Sequence, residues 1–320
     1  MQLNLPIMDK IKDSEHILIA GMGGGYDVFS GLPLYFTLME QGYDVHLANF
    51  SFSNVASLTD GEHLTDTCVG VSVDNNDIDG VFPYFPEYFL AEWFLDAHND
   101  YITVWAFHKT GARPYIEGYR ELVDHLDIDC IILVDGGADS LMHGNEPNMG
   151  TLFEDTLSLI AVNELTDVPV RLTCCLGLGV EYEIGYAHLF ENIANLMKQD
   201  AFFGTCSLTK QMKAYQEFEE AALFVFDRQP SYTSVICSSI ISAVRGEYGD
   251  YHLTKKTDGS TLRISPLMPT YWFFDLQTVV KNNLYREIMK PSISLEDAWI
   301  RMQIARRAFP PRDEPLSPLH

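Results

Sequence analysis

Basic residues and long apolar runs are both scarce in this sequence of 320 residues. The sequence has 21 lysine and arginine residues against 45 acidic residues, which gives a formal net charge of -24 at pH 7. The first interpretation of such a charge is that it keeps the protein soluble. Such a charge repels nucleic-acid backbones and anionic membranes, so we expect neither as a partner. No apolar stretch approaches the length of a membrane span, and the first residues lack the pattern of a signal peptide. We therefore expect a cytoplasmic, acidic protein.

Several motifs of known chemistry are also missing. The six cysteines form no CxxC pair and lie mostly in or beside apolar stretches, which is typical of reduced core residues rather than of disulfides or a zinc site. There is no Gly-x-Ser-x-Gly elbow, no Walker sequence and no HExxH helix. These absences disfavour a serine hydrolase, a P-loop kinase and a zincin.

Apolar segments of strand length alternate with segments of helical periodicity through much of the chain. The predicted strands cover residues 16–20, 43–50, 101–107, 129–134, 170–176 and 202–205. The predicted helices cover residues 28–40, 84–97, 115–126, 152–165 and 184–198. This alternation predicts an α/β fold, namely a three-layer, Rossmann-like, mostly parallel sheet with helices on both faces.

The rhythm is less regular in the last third of the chain. The patterns there predict a helix followed by an extended segment over 211–226, helices over 233–245, 271–289 and 295–308, and a hairpin over 251–264. No linker rich in Gly, Ser or Pro marks a boundary. We predict one large α/β domain and a short tail: residues 1–309 with a core of about 16–208 and a C-terminal extension of about 209–309, then a flexible tail over 310–320.

Two glycine loops stand out because each follows an apolar strand and carries an aspartate near the next helix. The first runs from Gly21 to Asp27, and the second contains Asp135 and Asp139. Loops at the carboxyl ends of parallel strands share one edge of an open sheet, where ligands bind. The two loops therefore predict two walls of one site.

The predicted site combines these loops with the loops that follow the strands at 101–107 and 170–176. Carboxylates in such a place act as general acids, as general bases or as ligands of sugar hydroxyls; the candidate catalytic residues are Asp27, Asp135, Asp139 and Glu181. The glycines and polar side chains of the same loops are the candidate ligand-binding residues: Gly23, Gly24, Gly25, His108, Lys109, Arg113, Gly136, Gly137, Ser140, His143, Glu146, Gly177 and Gly179.

Acidic residues are dense enough over 135–146 to suggest a metal. Hard oxygen ligands hold Mg²⁺ or Ca²⁺, and Asp135 and Asp139 are the predicted ligands of such an ion. The same carboxylates could instead hold a sugar or cap helices, so the cofactor stays open. The neighbouring pair Glu154 and Asp155 is interpreted as helix capping, because Thr151 and Glu154 fit a capping box.

The first loop also resembles nucleotide-binding loops. A dinucleotide fingerprint needs a third glycine where Tyr26 stands and an acidic residue where the second strand ends at Asn49 and Phe50. The glycine spacing is closer to that of Rossmann-type methyltransferases, although these also need that acid. Nucleoside hydrolases offer an analogy for the aspartate loop, which here lacks their closing pair of aspartates.

Taken together, these residues predict an enzyme that acts on a small phosphorylated or ribosylated metabolite of the nucleotide or sugar-phosphate class, as a hydrolase or group transferase. Asp135 or Glu181 would serve as general base, and Lys109 and Arg113 would hold the anionic group. The alternatives are a non-catalytic metabolite-binding or sensor protein and, less favoured, a Rossmann-type methyltransferase. The expected partner is a small anionic or sugar-containing metabolite, and a homo-oligomer is left open.

Five segments of the chain resemble one uncharacterised family, domain of unknown function 1152. They are GGGYD at 23–27, GARPY at 111–115, VDGGADSLMHGNE at 134–146, GTLFED at 150–155 and SPLMPTYW at 265–272. The resemblance covers about residues 16–283. It implies a single large domain in which these loops matter, and it implies no activity or substrate.

Overall fold

Nine strands in one sheet form the centre of the protein, whose computed structural model describes residues 6–74, 83–181 and 183–316. The predicted α/β class is confirmed. The strands are β1 His16–Gly21, β2 Asp44–Phe50, β3 Glu62–His63, β4 Cys68–Val71, β5 Val104–Phe107, β6 Cys130–Gly136, β7 Val170–Leu176, β8 Phe202–Ser207 and β9 Thr270–Asp275. Their order across the sheet is β3-β4-β5-β2-β1-β6-β7-β9-β8.

The α-helices mostly follow the strands. They are α1 Pro6–Ile11, α2 Asp27–Glu40, α3 Pro86–His98, α4 Ala112–His125, α5 Leu152–Asn163, α6 Tyr186–Lys198, α7 Lys213–Arg228, α8 Val235–Arg245, α9 Leu276–Asn282, α10 Arg286–Met289 and α11 Leu295–Ala308. No helix among the described residues combines the length and apolar character needed to cross a membrane. Residues 1–5 of the predicted domain and 317–320 of the predicted tail lie outside the described residues.

The sheet is mixed. Its central strands β5, β2, β1, β6 and β7 run parallel to one another. At one side β4 pairs antiparallel with β5, and β3 with β4. At the other side β9 lies between β7 and β8 and is antiparallel to both. The prediction of a mostly parallel sheet therefore fits the centre and misses both sides.

The C-terminal third departs most from the sequence patterns. The helix predicted over 271–289 is wrong in its first part, because Thr270–Asp275 is strand β9 and the helix starts only at Leu276. Aromatic residues fill this segment and favour a strand, and the Asp275 carboxylate then caps α9 by accepting a hydrogen bond from Thr278 N at 2.8 Å. The segment predicted to turn extended before residue 226 stays helical in α7, and 251–264 forms turns with one isolated bridge instead of a hairpin.

Alternate residues of the central strands enter two separate hydrophobic clusters. In β1, Ile17 and Ile19 pack with α2, α3, α7 and α8, whereas Leu18 and Ala20 pack with α4, α5, α6, α9 and α11. Successive side chains of a strand point to opposite faces. The two sides of β1 thus enter different hydrophobic clusters, each of which includes residues of several helices.

Candidate functional site

The first and second glycine loops start side by side at the carboxyl edge of the sheet. Gly21 at the end of β1 pairs with Val134 in β6. Beyond this pair, both loops contact the Asp27 carboxylate. Gly23 N donates a 2.6 Å hydrogen bond to Asp27 Oδ2, and a Cβ added to Gly136 would lie 2.6 Å from Asp27 Oδ1. Glycine is required at position 136 because any side chain would displace this carboxylate.

Three aspartates from three elements meet behind these glycines. Asp27 opens α2, Asp135 is the next-to-last residue of β6, and Asp155 lies in the first turn of α5. All are buried, and one carboxylate oxygen of each lies within 4.8 Å of the others. We call these residues the aspartate cluster. Two of its members were predicted site residues, whereas Asp155 was not.

Asp155 was missed because its neighbours suggested a capping box. Thr151 is the N-cap residue of α5, but its side chain makes no cap hydrogen bond and instead donates to Asp139 Oδ2 at 2.9 Å. A usable signal was present: Asp155 lies three residues after Leu152 and four before Leu159, on the apolar face of the helix. A carboxylate at such a position is buried and needs a function or a partner.

Asp139 and Glu181 flank the aspartate cluster. Asp139 is buried and accepts hydrogen bonds from the backbone N and the hydroxyl of Thr151. A Cβ added to Gly150 would lie 2.7 Å from the Cβ of Asp139. Glu181 is half-buried, and its Oε2 accepts a 3.0 Å hydrogen bond from Ala138 N. The Glu181 carboxylate also leaves no room for a side chain at Gly137. The loop after β7, which carries Glu181 and which we call the third glycine loop, therefore reaches back to the second glycine loop.

Burial raises the pKa of each of these carboxyls. It raises the pKa of Asp27 to about 7, against hydrogen bonds from Gly23 and Gly136 that lower it. Burial, followed by the charges of neighbouring carboxylates, raises the pKa of Asp135, Asp155 and Glu181 well above the usual range, and Asp139 shifts in the same direction. Such a group of acids favours shared protons or a bound cation over full ionisation.

An open cleft of about 510 Å³ lies in front of the first loop. Asp27 lines it and so belongs to both the cleft and the aspartate cluster. The Phe52 ring packs on Gly24, where a Cβ would lie 2.3 Å from the ring and where φ is +96°. The other walls are largely apolar and include Gly25, Tyr84, Tyr232, Ile236 and Lys256.

Of the predicted basic residues, the structure brings Lys109 to this region. Lys109 Nζ lies 4.0 Å from the centroid of the Phe52 ring, a cation–π contact. His108 is half-exposed and its backbone N donates to Thr67 O, while burial, followed by the charge of Lys109, lowers its pKa. Arg113 is exposed in the first turn of α4. Lys109 therefore contacts a residue of the cleft.

Ser140, His143 and Glu146 hold the second loop in shape. Ser140 N donates a 3.1 Å hydrogen bond to Asp135 Oδ2. The buried Glu146 carboxylate accepts from the backbone N of His143 and from Asn192 Nδ2 at 2.9 Å. Although burial alone would raise it, these hydrogen bonds hold the pKa of Glu146 below its usual value. Arg312, within the segment predicted to be flexible, also pairs with Glu146 at 3.4 Å.

The third glycine loop touches the cleft from the side. Gly177 and Gly179 both have φ above +100°, which favours glycine. A Cβ on Gly177 would lie 3.0 Å from Ile236, a cleft residue. Gly179 O accepts a 2.8 Å hydrogen bond from the Tyr186 hydroxyl. Both glycines shape the loop that carries Glu181.

Asn49, at the end of the second strand, is fully occupied by the fold. Its Oδ1 accepts from Val28 N at 3.3 Å, and its Nδ2 donates to Gly25 O at 2.9 Å and to Glu87 Oε1 at 2.7 Å. The amide therefore anchors the first glycine loop to helix α3. It is not free to replace the acid that holds ribose hydroxyls in dinucleotide-binding sheets.

Comparison with known proteins identifies the family of this chain. The family model described as "Protein of unknown function (DUF1152)" matches residues 94–306, about two thirds of the sequence. The chain belongs to the DUF1152 family. Within the match lie the second and third glycine loops, with Asp135, Asp139, Asp155 and Glu181, whereas the loop that carries Asp27 precedes it. No curated protein and no solved structure matches the chain.

Proposed function

We propose that this DUF1152 protein is an enzyme that acts on a small phosphorylated or ribosylated metabolite of the nucleotide or sugar-phosphate class, as a hydrolase or group transferase. The observation that carries the proposal is the position of Asp27. It lines an open cleft of about 510 Å³ and at the same time contacts a buried group of carboxyls with raised pKa. Perturbed carboxyls beside a ligand-sized cleft are typical of catalytic sites.

The cleft walls favour a ligand with a flat ring and an anionic group. Phe52, Tyr84 and Tyr232 line the cleft, and Tyr84 and Tyr232 contact each other with ring centroids 5.6 Å apart. Aromatic rings in such walls stack on nucleobases. Lys256 lines the same cleft, and Lys109 lies against Phe52, so two cations are placed to meet a phosphate.

Acid–base chemistry would come from Glu181 and Asp139. Both carboxyls have a raised pKa, and a raised pKa favours the protonated form, which can donate its proton to a leaving group. Deprotonated, the same carboxyl activates water. Asp27 would contact the sugar hydroxyls directly because it is the cluster member that lines the cleft.

The proposed fold detail is a three-layer, Rossmann-like domain. Numbered 1 to 5 in chain order, the parallel strands are β1, β2, β5, β6 and β7. Across the sheet they lie as β5-β2-β1-β6-β7, which is the 3-2-1-4-5 order of a doubly wound sheet. Ligands bind such sheets where the order reverses, here between β1 and β6. The loops after β1 and β6 carry Asp27 and Asp135, which supports the position of the site.

A non-catalytic metabolite-binding or sensor protein would use the same cleft without turnover. We favour catalysis over binding alone because the perturbed carboxyls adjoin an open cleft, an arrangement that is typical of catalytic sites. Methyl transfer is less favoured, since Asn49 is committed to the first loop.

The proposal is tested by incubating the protein with nucleotides, nucleosides and sugar phosphates, with and without Mg²⁺, and following substrate loss by chromatography. We expect turnover of at least one compound, reduced 100-fold or more in Glu181→Gln, since general acid–base groups contribute about 10²–10⁴-fold. Binding of that compound, measured by thermal shift, should survive this substitution. Binding without any turnover would favour the sensor alternative.

Matched variants separate the cleft from the rest of the surface. Tyr232 is 42% exposed and Tyr248 is 81% exposed, so each can be replaced with little effect on the core. Tyr232→Ala should weaken metabolite binding by about 1–3 kcal/mol through lost stacking, and Tyr248→Ala should not. Glu121→Gln, at an exposed acid of α4, is the control for turnover. Equal effects of the matched substitutions would contradict the proposed site.

A further inference from the structure

We propose that Asp27, Asp135 and Asp155 bind one hard divalent cation, Mg²⁺ or Mn²⁺, at the closed end of the cleft. This ligand set differs from the pair that the sequence suggested, because it keeps Asp135, adds Asp27 and has Asp155 in place of Asp139. It goes beyond the proposed function, since a cation can bind whether or not the protein turns over a metabolite.

The geometry of the aspartate cluster fits one ion. Oxygen ligands lie about 2.0–2.6 Å from Mg²⁺ or Ca²⁺, so two oxygens on one ion are at most about 4.0–5.2 Å apart. The three carboxylates each offer an oxygen within 4.8 Å of the other two. They come from α2, β6 and α5, elements that are far apart in the chain. The fold therefore brings three like charges together, which is costly unless something neutralises them.

Two buried oxygens without a partner point to a missing ligand. Among the described residues, Asp155 Oδ1 and Ser30 Oγ accept or donate no hydrogen bond, although Asp155 is 1% exposed and Ser30 is 0% exposed. Both lie on the cluster: the Cβ position of Gly23 is 3.0 Å from Asp155 Oδ1, and that of Gly136 is 3.1 Å from Ser30 Oγ. Buried polar atoms are nearly always satisfied. A hydrated cation would satisfy both.

The cation would face the proposed substrate. Asp27 is shared by the cluster and the cleft, so an ion held by Asp27 lies within reach of an anionic group bound in the cleft. Mg²⁺ keeps several waters and commonly bridges protein carboxylates to substrate phosphates.

The direct test is calorimetric titration of the chelator-treated full chain with MgCl₂, MnCl₂ and CaCl₂. We expect one site per chain for Mg²⁺ or Mn²⁺ and a higher thermal midpoint with the ion. Asp155→Asn should weaken binding at least tenfold. The same substitution should raise the midpoint of the ion-free protein, because it removes one of three crowded carboxylates. A purely structural aspartate would give the opposite sign.

Asp44→Asn is the matched control. Among the described residues, Asp44 forms a second group of possible metal ligands together with His16 and His46. This group is partly exposed and lies at the opposite edge of the sheet, where β2 begins. This variant should bind Mg²⁺ like the wild type. Absence of binding to the wild type, or equal loss in Asp44→Asn and Asp155→Asn, would overturn the cation site. Neither result would depend on turnover, so failure of the cation site and failure of the proposed function stay distinguishable.

A separate observation concerns the exposed face of helix α11. Ile300 and Ile304 are 58% and 52% exposed, with Glu296 before them and Arg307 after them on the same side of the helix. An acid at one end, a base at the other and two isoleucines between make this stripe complementary to itself. We infer that α11 packs antiparallel against α11 of a second copy of the chain about a two-fold axis.

In that arrangement Glu296 of each copy meets Arg307 of the other, and the isoleucines pack at the axis. An apolar recess of about 440 Å³ adjoins the stripe and is lined by Trp299, Phe153 and Lys109. Because Lys109 also contacts Phe52 at the cleft, the second copy would cover the rim of the proposed site.

Light scattering after size exclusion tests this interface. We expect twice the chain mass of 36.2 kDa for the wild type and the mass of a single chain for Ile304→Glu. Glu296→Arg alone should weaken the dimer, and adding Arg307→Glu should restore it. Tyr248→Glu, at an exposed residue elsewhere, is the control. A monomeric wild type, or a dimer that survives Ile304→Glu, would overturn the inference.

Discussion

Glu87 shows how a buried acid can serve the fold at a cost. Its side chain is fully buried in α3, and Oε1 accepts a 2.7 Å hydrogen bond from Asn49 Nδ2. Through Asn49 it supports Gly25 O and therefore the first glycine loop. Burial raises the pKa of Glu87 to about 7, although the hydrogen bond from Asn49 opposes the shift. The folded protein thus holds a proton that the unfolded chain releases at lower pH.

Glu87→Gln should remove a pH-dependent loss of stability. Between about pH 4.5 and about pH 7 the folded state binds more protons at Glu87 than the unfolded state, so its contribution to the free energy of unfolding falls as pH rises. The full loss is about 3 kcal/mol. We expect the variant to gain stability relative to the wild type across this window, measured by urea unfolding at both ends.

Glu121→Gln, at an exposed position of α4, controls for the loss of an acid. It should leave the pH dependence of unfolding unchanged. If Glu87→Gln instead lost stability equally at both ends of the window, the carboxyl would contribute only as a hydrogen-bond acceptor.

The predicted site residues divide according to whether a local signal exists. Asp27 and Asp135 were recognisable because glycine loops after apolar strands are visible in the sequence, and strand order then brings the two together. Asp155 was hidden because an acid in the first turn of a helix has an ordinary explanation, the helix dipole. Ligand binding by Glu146 stays a prediction, and short-range pattern could not show that Asn192, 46 residues away, donates a hydrogen bond to it.

Helix α2 sits close to the sheet because it carries a glycine where it crosses β1. A Cβ on Gly31 would lie 2.5 Å from Ile19 Cγ2 and 3.6 Å from the nearest atom of Val134. Close approach of this helix fixes where its first turn, with Asp27, meets the end of β6. The packing of α2 and the geometry of the aspartate cluster are therefore linked.

Gly31→Ala should destabilise the protein even though alanine favours helices by about 1 kcal/mol. The overlap with Ile19 costs about 1–3 kcal/mol, as added methyl groups do in packed cores. We expect a lower urea midpoint than in the wild type. In an Ile19→Ala background, where the opposing methyl is gone, the same substitution should become stabilising.

Ile19→Val is the matched background, because valine keeps the methyl that Gly31 faces. There the penalty of Gly31→Ala should persist. Additive effects in all three backgrounds would show that this contact does not limit the approach of α2.

Helices and strands with one clear hydrophobic period were predictable from the sequence. Elements whose conformation depends on pairing with distant strands were not. Helix α11 was predicted at its observed bounds, since its buried residues recur at helical spacing. Strand β9 was taken for a helix because its aromatic residues are followed directly by a helical pattern, and only pairing with β7 and β8 makes it a strand. The two-residue strand β3 is too short to leave any pattern at all.

Charge acts on the molecule as a whole as well as at the site. With 45 acidic and 21 basic side chains, the folded protein concentrates a net charge of -24 in a smaller volume than the unfolded chain does. Self-repulsion destabilises the compact state, and salt screens it. General screening and the proposed cation site therefore both predict stabilisation by salts, and they must be told apart.

Raising NaCl from 0.01 M to 0.1 M shortens the Debye length from about 30 Å to about 10 Å. We expect the thermal midpoint of the wild type to rise by several degrees over this range, since repulsion among the surplus acids weakens. MgCl₂ at the same ionic strength should add a further increase. Asp155→Asn should keep the NaCl response, which depends on total charge, and lose the extra response to Mg²⁺, which depends on one site. A midpoint that falls with NaCl would refute self-repulsion as a limit on stability, and an unchanged Mg²⁺ increment in the variant would place that ion elsewhere on the surface.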